Sequence, residues 1–223
     1  MLRVLVLHGY TQDGAVLSKR MGALRKKCKN QVEFVFIDAP FQLSLAFPDQ
    51  KEERTPLTWW HYEDLIPGSQ ELEEAFQGSS TMRFEGLEKS ISLIKSVWDK
   101  DSFDGIMGFS QGASMVSWFL QACLVLRKET LAYTPRFAVL VSGFITPSPD
   151  SFPKLGVRAI RIPSLHVFSS SDKFVDLVKS EEMLQVYVDP EVLKHDQGHC
   201  VPQKKPELEF FRSFFSKFIA SSS

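Results

Sequence analysis

A chain of 223 residues with 43% hydrophobic and 24% charged residues has the length of one domain and the composition of a globular protein. Its 26 basic and 27 acidic residues leave a formal net charge of -1, so no basic excess points to nucleic acid or an anionic membrane surface. Cys28, Cys123 and Cys200 form neither a disulfide framework nor a metal pattern, and no apolar run reaches transmembrane length. The expected setting is a reducing one, cytoplasmic with room for a nuclear pool, without stable membrane insertion.

Alternating Val and Leu over Val4–Leu7 predict a central parallel strand, followed by the loop His8-Gly9-Tyr10-Thr11-Gln12-Asp13-Gly14. Leu17, Met21 and Leu24 mark one face of a helix over Ala15–Lys27. A second strand, Val32–Ile37, ends at Asp38-Ala39-Pro40. From 41 to 82 prolines, charges and Trp59-Trp60-His61-Tyr62 break any periodicity, and this stretch reads as a lid or rim within a single domain spanning 1–223. Trp59, Trp60 and Tyr62 there could wall an acyl or alkyl pocket or anchor the loop to the core. A helix over Phe84–Trp98, a strand over Phe103–Phe109 and a nearly uncharged helix over Gln111–Leu126 come next. Strands at Phe137–Val141, Leu165–Phe168 and Val192–His195, a helix over Phe174–Tyr187 and a last helix over Pro206–Ile219 complete an α/β pattern. The expected fold is α/β, a mostly parallel sheet with helices on both faces and the irregular insertion.

Gly108-Phe109-Ser110-Gln111-Gly112, between strand and buried helix, is a nucleophile elbow. A serine hydroxyl attacks a carbonyl only when an imidazole takes its proton and a carboxylate holds that imidazole in one tautomer. Ser110, Asp172 and His199 occur in the order nucleophile, acid, base, which is that of the α/β-hydrolases, so the expected fold is an α/β-hydrolase fold. The backbone N–H groups of Tyr10 and Gln111 are the candidate oxyanion hole, and Phe144, after the fourth long strand, joins Trp59, Trp60 and Tyr62 as a candidate pocket residue. His195 is the rival base, Asp176 and Asp196 the rival acids. His195-x-x-x-His199 lacks the glutamate of a zincin, so neither a metal nor another cofactor is expected.

Leu7-His8-Gly9-Tyr10-x-Gln12, Asp38-Ala39-Pro40, the run from Phe103 to Gly112, Val141-Ser142-Gly143-Phe144 and Gly198-His199-x-Val201-Pro202 together resemble the FSH-type serine hydrolase family. These motifs span nearly the whole chain. The resemblance implies a carboxylic-ester or thioester hydrolase with Ser110, Asp172 and His199 as its triad. Two loops depart from the family pattern: Ser169-Ser170-Ser171-Asp172 lacks a glycine common before the acid, and Asp196-Gln197-Gly198-His199 lacks one common before the base. Asp196 there either raises the basicity of His199 or faces water.

The leading expectation is an ester hydrolase working through an acyl-enzyme on a small uncharged ester with a medium to long chain. An acyl thioesterase follows closely. A catalytically weak fold used for binding is motivated by the serine run, while a lyase or haloperoxidase chemistry on the same scaffold is disfavoured by the intact serine. Aromatic residues on the rim leave room for a homodimer.

Overall fold

The structure, a computed structural model, describes residues 1–43, 55–62, 84–145 and 159–219. In chain order its strands are β1 (Leu2–Leu7), β2 (Val32–Ile37), β3 (Phe41–Gln42), β4 (Leu57–Thr58), β5 (His61–Tyr62), β6 (Phe84–Glu85), β7 (Gly105–Phe109), β8 (Phe137–Val141), β9 (Ser164–Ser169) and β10 (Glu191–His195). The helices are α1 (Gly14–Arg20), α2 (Gly22–Cys28), α3 (Leu87–Lys100), α4 (Gln111–Leu120), α5 (Leu177–Leu184) and α6 (Lys205–Ser216). Six strands form one parallel sheet in the order β10-β9-β8-β7-β1-β2. The four others pair as two short antiparallel ribbons, β3 with β4 and β5 with β6.

Period-two alternation divides the apolar strand residues between two cores. Leu5 and Leu7 of β1 and Ile106 of β7 join Ile91, Ile94 and Trp98 of α3 and Phe119 of α4 on one face. Val4 and Val6 of β1 and Met107 and Phe109 of β7 join Leu17, Leu24, Phe211 and Phe215 from α1, α2 and α6 on the other. Because both faces are covered, the inner strands read as continuous hydrophobic runs. Each fully buried Leu or Phe contributes roughly 2 kcal/mol of favourable transfer free energy.

β1 is followed in the chain by β2 on one side, and the next long strand, β7, lies on its other side. The chain thus reverses its direction of winding between β1 and β7. A crevice opens at such a point outside the carboxyl ends of the strands, and ligands bind there in open α/β sheets. Both the His8 loop and Ser110 leave the sheet at this place.

The helices differ from the sequence reading at their ends. The one expected over Phe84–Trp98 runs Leu87–Lys100, because Phe84–Glu85 pair with β5 as a strand, and the one expected over Pro206–Ile219 runs Lys205–Ser216. The helix expected over Ala15–Lys27 is two helices that share Met21 as cap, with φ -90° and ψ 13°. The long helix expected from Gln111 stays α-helical to Leu120 and widens to a π-turn over Gln121–Val125. The helix expected from Phe174 starts at Leu177, capped by the Asp176 side chain on the Val178 N–H. Of the segment 41–82 read as a rim, residues 44–54 and 63–82 lie outside the described residues, as does the proline-containing stretch 146–158. Among the described residues no helix is long and apolar enough to cross a membrane.

Candidate active site

Ser110 joins β7 to α4 with φ 53° and ψ -120°. A non-glycine residue held at positive φ stores roughly 1–3 kcal/mol of strain, which the surrounding packing must hold in place. The two glycines of the elbow show how tight that packing is. A Cβ on Gly108 would stand 2.3 Å from the Gly112 carbonyl oxygen, and one on Gly112 would stand 2.4 Å from the carbonyl oxygens of Leu7 and His8. The elbow is further fixed by the Ser110 N–H, which donates to the Val141 carbonyl at 2.8 Å. Gln111 opens α4, so its N–H belongs to the first turn, whose donors have no acceptor within the helix.

The loop after β1 packs directly against this serine: a Cβ on Gly9 would lie 3.3 Å from Ser110 Cβ. His8 organises the loop. Its Nε2 accepts the Ala39 N–H at 3.0 Å, which puts the ring proton on Nδ1, where it is donated to the Gly9 carbonyl at 2.8 Å. Burial holds the His8 pKa below the ordinary histidine value, although Gly9 and nearby carboxylates pull the other way. Asp38 completes the clamp by accepting the Gly14 N–H at 2.8 Å. The Asp38-Ala39-Pro40 motif is therefore a backbone fastener for the loop that carries Tyr10. The neighbouring N–H groups are engaged, with Thr11 on the Leu57 carbonyl at 3.0 Å and Gln12 on the Gly9 carbonyl at 3.2 Å.

Gln111 has a second part to play, which the sequence did not reveal. Its buried side-chain oxygen accepts the Trp59 N–H at 3.0 Å and its amide nitrogen meets the Thr58 hydroxyl at 2.9 Å. Trp59 in turn gives its indole N–H to the His8 carbonyl at 2.8 Å. Of the candidate pocket aromatics, Trp59 and Trp60 are fully buried and Tyr62 nearly so, all within the core on the α3 side. For Trp59 the geometry is that of an anchor between elbow and His8 loop. Tyr62 packs edge-on to both Trp60 and Tyr10, with centroids 6.1 Å apart in each case. Phe144 is also buried, and the Ser114 hydroxyl donates to its carbonyl at 2.7 Å.

Asp172 and His199 leave the ends of β9 and β10 and meet: His199 Nδ1 donates to Asp172 Oδ2 at 2.7 Å. The carboxylate side chain is 2% exposed and the imidazole 16%. Its other oxygen accepts the N–H groups of Phe174 at 2.9 Å and Val175 at 3.0 Å. Burial alone would raise the Asp172 pKa. The hydrogen bond and charge of His199, with the two backbone donors, outweigh it and hold the carboxyl below its ordinary value. α5 starts at Leu177 because Asp176, with ψ 138°, leaves the helical path and caps the helix on the Val178 N–H. The His199 ring lies between Phe109, the residue before Ser110, at 4.9 Å and Phe174 at 5.3 Å between centroids.

The rivals are occupied elsewhere. His195 is buried, and its Nδ1 accepts the Gln197 N–H at 3.1 Å. His166 lies inside β9 with Nε2 3.2 Å from the Ser164 hydroxyl, and burial drives its pKa down to about 3. Asp176 caps α5. Asp196 is 73% exposed and pairs with Lys204 at 2.7 Å, so it faces water rather than His199. Sequence reasoning took Ser169-Ser170-Ser171 as a departure from a pattern and as a ground for a weak, binding-only fold; the hydroxyls of Ser169 and Ser171 both reach the Gly198 N–H, in the loop that carries His199. Among the described residues no three His, Cys, Asp or Glu side chains gather as a metal site.

Known proteins resemble the chain at the level of both sequence and fold. The family model described as "Serine hydrolase (FSH1)" matches residues 1–211. Esterase OVCA2 of Danio rerio is 33% identical, with 97% of each chain covered. Esterase CG5412 of Drosophila melanogaster is 32% identical over 96% of this chain and 73% of the fly protein. In fold, a carboxylesterase from Mesorhizobium loti superposes with a TM-score of 0.60 at 15% identity, over 96% of this chain and 88% of that one. With a hydrogen-bonded Asp172–His199 pair beside an elbow serine and sequence kinship that runs nearly from end to end, the chain belongs to the FSH1 serine hydrolase family and is a carboxylesterase-type hydrolase.

Proposed function

We propose that the chain cleaves uncharged carboxylic esters with medium to long acyl or alkyl chains through an acyl-enzyme on Ser110. His199 takes the serine proton and passes it to the departing alcohol, and Asp172 holds the imidazole with its proton on Nδ1. The Tyr10 and Gln111 N–H groups share the charge on the tetrahedral oxygen. One such donor is worth roughly 3–4 kcal/mol of transition-state stabilisation. Water then repeats the sequence on the acyl-enzyme and frees the acid.

The observation that carries this reading is the 2.7 Å bond between His199 Nδ1 and a carboxylate that is 2% exposed, in a ring packed against the elbow. A buried carboxylate with both oxygens accepting hydrogen bonds is a fixed orienter, and it is otherwise expensive to keep ionised. The preference for an apolar substrate is supported by Phe174, which is 60% exposed beside the His199 ring, and by Val178, 58% exposed four residues further on in α5. Alcohol leaves from the imidazole side, since the imidazole protonates it.

The test is a panel of p-nitrophenyl esters and matched acyl thioesters from short to long chains, run on the wild type and on Ser110→Ala. Ester turnover with an optimum at medium or long chains, abolished in the variant, is the expected result. A preference for thioesters would move the substrate class, and turnover untouched by Ser110→Ala would remove the nucleophile.

A further inference from the structure

We propose that Ser169 and Ser171 are positioning residues that lock the acid loop to the base loop, so that the His199–Asp172 pair is set before substrate binds. The proposal rests on reading that pair as the catalytic acid and base. It starts from a topological fact: the ladder between β9 and β10 ends at Ser169 and His195. Asp172 lies three residues beyond one end and His199 four beyond the other. Beyond the Ser170 N–H on the His195 carbonyl at 3.3 Å, two loops of that length tied by one side-chain bond would leave the pair free to drift.

The two hydroxyls close that gap. Gly198 N–H donates to both, at 3.2 Å to Ser169 Oγ and 3.2 Å to Ser171 Oγ. Ser171 Oγ lies 3.0 Å from the Asp196 carbonyl, which can only accept, so the Ser171 proton goes there. That fixes the Ser169 proton on the 3.0 Å bond to Ser171 Oγ, and leaves Ser169 Oγ to accept the Ser171 N–H at 3.2 Å. Every donor then has an acceptor under a single assignment of protons. A network of this kind permits one arrangement of its members. Its positions are telling: Ser171 immediately precedes Asp172, and Gly198 immediately precedes His199. Gly198 also sits at φ 72°, which allows its peptide to turn the N–H back toward the acid loop.

Ser171→Ala removes the bond to Asp196 and one of the two acceptors of Gly198, on a residue exposed enough that the chain should still fold. The expected result is a fall in kcat of about tenfold, since small displacements of reacting groups carry large kinetic penalties. KM stays within about twofold because no substrate contact is lost. The acid limb of the pH–kcat/KM profile shifts to lower pH, because an imidazolium less well held by Asp172 gives up its proton more readily. Ser171→Thr, which keeps the hydroxyl, restores both, and Ser169→Ala with Ser171→Ala deepens the loss to about a hundredfold. Rates are expressed per active site, titrated with a fluorophosphonate, so that a smaller folded fraction does not pass for a slower enzyme.

Ser110→Ala is run alongside. Its loss of turnover, together with unchanged kcat and unchanged acid limb in both serine variants, overturns the positioning role and leaves the site intact. Retained turnover in Ser110→Ala overturns the reading of the site, and the positioning role with it.

Discussion

Gly112→Ala adds one methyl group at the point where α4 passes the end of β1. Its Cβ would lie 2.4 Å from the carbonyl oxygens of Leu7 and His8 and 2.7 Å from the Leu7 carbonyl carbon, whereas ordinary contact begins near 3.4 Å. The obstructing atoms are backbone at the end of a strand paired on both sides and at the first residue after it, so no side chain can rotate away. The first turn of α4 must therefore recede by about 1 Å. Overpacking of this kind costs about 1–3 kcal/mol, or a fall in Tm of roughly 3–10 °C for a chain of this size. The kinetic effect is larger, because Ser110 and the Gln111 N–H ride on that turn; a shift of about 1 Å lowers kcat by roughly a hundredfold. Gly22→Ala is the control: its Cβ would meet nothing within 4 Å at the start of α2, so it should stabilise by about 0.4–1 kcal/mol with activity unchanged. Differential scanning calorimetry and p-nitrophenyl ester kinetics measure both. Wild-type Tm and kcat in Gly112→Ala would refute the claim that the elbow is held by backbone contact.

Asp172→Asn should lower kcat by about three to four orders of magnitude, since an amide no longer holds the imidazole in the required tautomer. Asp196→Asn, which alters only an exposed pair with Lys204, should stay within about twofold in the same assay. Stability is expected to fall as pH drops from 6.5 toward 3, because the unfolded chain protonates His166 while the folded chain keeps it neutral down to about 3. The gap between those values corresponds to a loss of roughly 5 kcal/mol at most. Urea unfolding across this range should be flatter for His166→Leu than for the wild type, and equal slopes would rule His166 out as the source.

The parts of the site that lie on regular elements were legible in the sequence, because periodicity places strand ends and strand ends place loops. Ser110 after an apolar strand, Asp172 after Leu165–Phe168 and His199 after Val192–His195 all follow from that logic, and the described residues bring Asp172 and His199 into contact. What stayed hidden depends on partners distant in sequence. Nothing in Gln111 itself announces that its amide would be used to fasten Thr58 and Trp59. The serine run looked like missing glycines because its acceptor role needs Gly198, 27 residues on. Helix ends failed for local reasons. α5 starts three residues later than expected, where Asp176 caps it on the Val178 N–H. Met21, fully buried and placed on the apolar stripe, caps two helices where one was expected.

The place of β1 in the sheet bears on how the chain is made. Leu2–Leu7 leaves the ribosome before either of the strands it pairs with, yet it lies between the two. Its pairing with β2 requires only about thirty further residues, as Leu5 meets Val35. The opposite edge waits for β7, where Leu5 meets Ile106. At a synthesis rate of about 5–20 residues per second, that edge stays unpaired for roughly 5–20 s. During this interval the nascent chain presents an apolar strand with open N–H and C=O groups, the form most open to pairing with a neighbour. Slowing translation between β2 and β7 should therefore raise the demand for nascent-chain chaperones, whereas a pause after β7 should not.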